Sequence, residues 1–363
     1  MTMAIVHGLE AAAGVLLVWI VLRDLFVAVV VPRPARGAFR PSTLLLRVSW
    51  RVYRWFATTL RRRAQEETLG AFGPLVVILQ LGAWIVGLIL GYGLVLHALS
   101  NELTPEPDNV MTSFYIAASL LTGNGLNFSI VGPFARIIAL VEATTGLGLV
   151  AAVVTLLFSL YGSFQRREVL TITLDALAGA PPSGVVLLET SRRNDVIDRL
   201  GDTFDQWQIW SAEVLESHLA YPVLAYFRSS HENESWIGAV GAVLDAAVLI
   251  LTTVEDVPRG PARLMYGVGG HLVEDLGWSF RFSHRHAVGI ERFEFDQACE
   301  RLAAAGYALA DPDIAWPSFS ALRSAYAVPL NQMARYWSIP PTLWIGDRSE
   351  LPQSGITHRH PEH

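Results

Sequence analysis

"MTSFYIAASLLTGNGLNFSIVGPFARII", residues 111–138, follows one long apolar run, 72–99, and leads into another, 134–161. Glycines, a proline and polar residues break it up too much to cross a bilayer as one helix. Met111, Phe114, Tyr115, Ala118 and Leu121 recur at helical spacing, which predicts a short helix over 110–121. Asp108 and Asn109 are candidate N-caps. Twelve residues cover only about 18 Å, so such a helix reaches partway into a membrane and stops. Thr122-Gly123-Asn124-Gly125 then reads as a non-helical return. Irregular backbone at membrane depth is tolerated only where protein buries it or water fills it. A helix C-terminus aimed at a cavity offers its negative dipole end to a cation. Carbonyls of an extended strand can replace an ion's hydration shell. The competing reading of the same four residues is a tight turn between two helices.

The rest of the chain fits a membrane setting. Of 363 residues, 52% are hydrophobic and only 17% charged, and the long apolar runs all precede residue 163. A net charge of −6 argues against a nucleic-acid partner. The single cysteine, Cys299, excludes an intrachain disulfide. A first apolar run, 11–31, covers roughly the 30 Å of the hydrocarbon core. It lacks a basic leader and a cleavage site, so it is read as a span rather than a signal peptide. Three spans are therefore expected. Residues 32–63 hold nine arginines and no acid, whereas Glu102, Glu106 and Asp108 follow the second run. The excess of positive charge places the arginine-rich loop and the C-terminal domain in the cytoplasm of an inner-membrane protein, with the N-terminus outside. Within 41–63, Leu45, Val48, Val52, Trp55, Phe56 and Leu60 share one helical face. This is an amphipathic helix on membrane lipid, a cuff against the bundle, or both. Arg23 and Asp24 lie inside the first run. Arg23 is read as reaching to the interface, and Asp24 as meeting a partner on a neighbouring helix.

Span, short helix, T-G-N-G and span together resemble the pore domain of two-helix potassium channels and their cation-channel relatives, over roughly 72–161. The run "ARIIALVEATTGLGLVAAVVTLLFSLYG" is similar to that family's inner helix, with Glu142 near its start. The resemblance implies a selectivity filter over Leu121, Thr122, Gly123, Asn124, Gly125 and Leu126. Gly146 and Gly148 become candidate gating hinges, or small residues where helices cross. Glu102, Glu106 and Asp108 would gather cations at the outer mouth. One pore segment per chain implies a homotetramer. The filter departs from the family's T-x-G-Y-G-D: Leu121 replaces the threonine, Asn124 the aromatic residue and Leu126 the acid. A permeant monovalent cation, K⁺ or another, is therefore expected without strict K⁺ selectivity, and no bound cofactor is.

The implied fold is an all-α membrane protein: three transmembrane helices, a re-entrant pore helix with a filter loop, and an α-helical cytoplasmic domain. Its divisions are 1–32 (first span), 33–70 (arginine-rich amphipathic helix), 71–163 (pore domain) and 164–363 (cytoplasmic domain). In the last, helices are expected near 190–227, 233–256, 260–279, 288–309 and 317–337, after a linker at 177–184. Residues 169–174 are strand-like. His271 and Asp275, and the "SHENES" stretch, carry possible metal ligands without a complete set. No G-x-S-x-G, phosphate-loop or H-E-x-x-H motif appears, so no enzymatic reading is supported. The leading expectation is a cation channel. The alternative is a non-conducting membrane sensor or scaffold that retains the pore fold.

Overall fold

The computed structural model describes residues 2–31, 40–124, 128–229, 235–280, 282 and 290–339. It divides into two units: 1–162 with 219–227, and 163–218 with 228–363.

Three helices are long and apolar enough to cross a bilayer: α1 (Thr2–Val29) and α3 (Arg62–Ala98) in the first unit, and α5 (Pro133–Ala178), whose residues up to 162 belong to it. This supports a membrane protein. Between them lie α2 (Pro41–Ala57) and α4 (Val110–Thr122). Strands β1 (Leu103–Thr104) and β2 (Ser129–Ile130) pair antiparallel across the ends of the α4 segment, with Leu103 opposite Ile130.

Small residues set the approach of α1 to α3. A Cβ on Gly14 would lie 2.5 Å from the Gly91 carbonyl oxygen, and one on Gly87 would lie 2.7 Å from the Val21 side chain. Such stripes let apolar helices pack where burial from water supplies no drive. Asp24 is buried in this packing and finds partners on both neighbouring helices. It accepts from the Ser42 amide (3.2 Å), the Ser42 hydroxyl (2.9 Å) and the Trp84 indole N–H (2.9 Å). Helix α2 packs as a cuff on one side. Trp50 is buried edge-on to Phe72 and Tyr226, at 4.9 and 5.2 Å. On the other side, Leu44, Val48, Val52, Trp55 and Phe56 are exposed, an apolar face suited to a membrane surface.

The second unit is built around α8 (Trp236–Thr252), whose residues from Trp236 to Ile250 are all buried. Helices α6 (Gly184–Arg193), α9 (Arg259–Phe280) and α11 (Pro312–Tyr336) pack on it. Helix α10 (Arg292–Ala304) packs on α6 and α11, and α7 (Leu200–Ala220) brings His218 against Trp236. Gly184 permits the close contact of α6, since a Cβ there would lie 2.6 Å from the Ala242 carbonyl oxygen. The Arg301 guanidinium of α10 grips Glu189 of α6 through two bonds of 2.8 and 2.7 Å.

Two local expectations are corrected. Residues 169–174 are helical, because α5 runs on to Ala178; their β-branched residues are tolerated within an established helix. The single helix expected over 190–227 is two. The chain turns at Asn194 and Asp195, the latter at φ 55°, and a 3₁₀ turn at Pro222–Tyr226 follows Ala220. Asn and Asp accept left-handed backbone more readily than most residues, and Pro222 removes a helical donor.

Candidate functional site: the connection from α4 to α5

The Asn109 side-chain oxygen caps α4, accepting from the Thr112 amide at 3.0 Å. The helix runs one residue beyond the expected end, so Thr122 is helical rather than part of an extended return. The reason is a glycine C-cap. Gly123 sits at φ +73°, its amide bonds the Leu120 carbonyl (3.2 Å), and the Asn124 amide bonds the Ser119 carbonyl (2.9 Å). This crossed pair satisfies the last carbonyls and turns the chain sharply. Side chains reinforce the end: the Thr122 hydroxyl donates to the Ala118 carbonyl (2.7 Å), and the Asn124 amide donates to Thr122 Oγ1 (2.9 Å). Thr122, Gly123 and Asn124 are exposed. Gly125 and Leu126 lie outside the described residues.

Leu121 is buried, and its carbonyl lies against α5. A Cβ on Gly146 would come within 2.0 Å of that oxygen. Gly146 is thus the point where α5 crosses the end of α4, and a larger residue would push them apart. Gly148 is exposed with open space beside it. The helix is uninterrupted through both positions. Thr144 is exposed, while Thr145 pairs with the Tyr92 hydroxyl at 2.8 Å. Glu142 is fully buried, and neither carboxyl oxygen has a hydrogen-bond partner among the described residues.

The three acids of the expected outer mouth are not equivalent. Glu102 turns inward: its carboxylate accepts from the Ala135 amide at 2.7 Å, at the first turn of α5. Its side chain fills the space where a Cβ on Gly132 would sit, 2.2 Å away. An acid there complements the helix dipole. The β1–β2 pairing delivers it, since the Glu102 carbonyl also accepts from Val131 (2.9 Å). Glu106 is exposed, 3.4 Å from the Ser100 hydroxyl, and Asp108 is exposed ahead of α4.

The second unit holds two buried polar clusters. Arg167 bonds Glu168 (3.0 Å) and reaches Nε2 of His218 (3.2 Å), while Nδ1 of His218 lies 2.9 Å from the Val214 carbonyl. The carbonyl fixes the tautomer: Nδ1 carries the proton and donates, and Nε2 accepts from Arg167. Burial, helped by the Arg167 charge, pushes the His218 imidazole well below its ordinary value. Asp245, inside α8, pairs with Arg323 Nε at 3.0 Å and with the Tyr326 hydroxyl. Burial raises its carboxyl against the pull of Arg323. Arg167 and His218 are 51 residues apart, so no local spacing in the sequence joins them. Among the described residues no group of three His, Cys, Asp or Glu side chains could hold a metal ion. His271 and Asp275 of α9 are among those residues; His231, Glu232 and Glu234 lie outside them.

Comparison with protein-family models, with curated proteins and with solved structures returns no match for this chain.

Proposed function

We propose that this chain is the subunit of a homotetrameric cation channel, potassium-channel-like in layout, with the turn after α4 at the conduction axis. One observation carries the reading. A 13-residue helix ends on an exposed, left-handed glycine between two helices long enough to cross a bilayer. A segment that short cannot itself span, and a bilayer does not accept its irregular continuation unless protein or water meets it. Helix α5 adds support: Leu140, Leu147 and Phe158 are 71, 75 and 77% exposed in the single chain, a surface for lipid and for other copies. The permeant ion is K⁺ or another monovalent cation, since Asn124 and Leu121 depart from a potassium filter. The arginine-rich loop and the second unit are assigned to the cytoplasmic side, where the second unit is placed to gate.

The self-capped end of α4 favours a second reading, a non-conducting sensor that keeps the pore layout. Thr122 and Asn124 spend side-chain bonds on their own helix. Planar-bilayer recording of the purified full chain in opposed K⁺ and Na⁺ gradients separates the two. The channel predicts single-channel currents whose reversal potential reports the cation preference, abolished by Gly123→Val. A folded tetramer that stays silent under all gradients supports the sensor.

A further inference from the structure

Within the first unit, the end of α1, the start of α2, α3, α5 and the stretch 220–223 line a groove of about 80 Å³. Its walls are apolar: Val77 and Leu81 from α3, Leu156 and Leu160 from α5. Arg40 and Gln80 also line it. Arg40 Nε is buried and has no hydrogen-bond partner among the described residues. Asp24 is the carboxylate close to Arg40, Arg23 is a second cation nearby, and Asp24 already accepts from Ser42 and Trp84. The groove lies beside α2, whose outer face is apolar and exposed, in a stretch of nine arginines without an acid.

We propose that this groove binds an anionic phospholipid of the inner leaflet, its phosphate on Arg40 and part of one acyl chain between α3 and α5. The lining matches an amphiphile, with an arginine and an amide among apolar walls beside an interfacial helix. The volume admits a short length of chain, not a whole lipid, so the remainder lies along the open side. Arg40 offers a forked donor suited to phosphate oxygens. The proposal stands whether or not the protein conducts.

The test is native mass spectrometry of the full chain, delipidated in detergent and titrated separately with dioleoyl phosphatidylglycerol, dioleoyl phosphatidylcholine and oleate. The expected result is one phosphatidylglycerol retained per chain, with a preference of about tenfold or more over phosphatidylcholine and oleate. Arg40→Gln removes the preference and Arg40→Lys keeps most of it. Arg51→Gln, on an exposed arginine of α2, leaves it unchanged. Leu81→Trp, which fills the trough, lowers retention of every lipid. The proposal is overturned if Arg51→Gln costs as much as Arg40→Gln, if Arg40→Lys behaves as Arg40→Gln, or if oleate or phosphatidylcholine binds as well as phosphatidylglycerol. It is also overturned if no lipid is retained by the wild type, in which case the chain itself fills the groove.

Discussion

Helices α5 and α8 are both strongly apolar, and the molecule uses them in opposite ways. Along α8, Val240, Val243 and Leu244 are fully buried. Along α5, Leu140, Leu147 and Phe158 are mostly exposed. Apolar content alone therefore does not say which helix meets lipid. Length does: the 17 residues of α8 cover about 26 Å, short of a comfortable span, whereas α5 has 46. The coat decides the rest. Helix α8 is apolar all round because α6, α9 and α11 surround it. Even its one acid, Asp245, is met by Arg323 and Tyr326.

The contrast can be broken most severely at that acid. Arg323→Leu leaves Asp245 buried without its cation and is expected to destabilise the second unit by about 3–5 kcal/mol. Chemical denaturation of the full chain in micelles reads this, and an unchanged midpoint would mean the pair is not closed in solution. Next, Leu244→Ala in α8 is expected to cost about 2–5 kcal/mol, while Leu147→Ala on α5 stays within about 0.5 kcal/mol. Equal losses would show that α5's outer face is packed within its own chain. Third, Gly146→Ala forces a methyl onto the Leu121 carbonyl and is expected to cost about 1–3 kcal/mol, against little change for Gly148→Ala. Thermal melts of the two variants compare them directly, and matching melts would remove the crossing of α4 and α5.

The smallest effect is a pH dependence. The folded His218 titrates well below the ordinary imidazole value near 6.5. Above that value it is neutral in both folded and unfolded chains and favours neither. As pH falls through it, the unfolded chain gains a proton that the folded chain refuses. Stability is then lost by up to about 1.4 kcal/mol per pH unit, until the folded pKa is reached. Hydrogen exchange of α7 amides should quicken over that window, and His218→Asn should flatten the response. A wild-type rate independent of pH there, after correction for intrinsic exchange, would mean His218 is not sealed from water.

Much of the first unit was legible because its signals are local. Apolar run lengths gave the three long helices, and Met111 to Leu121 at helical spacing with Asn109 ahead gave α4. The partners were not legible. Glu102 looked like a mouth acid, yet β1–β2 pairing turns it onto the α5 terminus. Gly87 and Gly91 pack against α1 while Ala83, four residues before Gly87, is exposed; which face meets α1 depends on a helix far away in sequence. Gly146 sits where helices cross, and only the placement of the Leu121 carbonyl shows it. Arg167 with His218 and Arg323 with Asp245 join residues 51 and 78 apart, beyond the reach of any periodicity. The end of α4 was off by one residue because Gly123 acts as the helix cap, a use of glycine that a turn or filter motif shares.

The central claim is that the turn after α4 meets water on an axis shared by several copies. Its most direct test is Asn124→Cys in a Cys299→Ser background, reconstituted in liposomes carrying a K⁺ gradient. The account predicts that a membrane-impermeant, positively charged thiol reagent labels position 124 and blocks cation flux, and that flux returns when the label is reduced off. A protein that carries K⁺ unchanged while fully labelled, or a position 124 that no aqueous reagent reaches from either side, would contradict it.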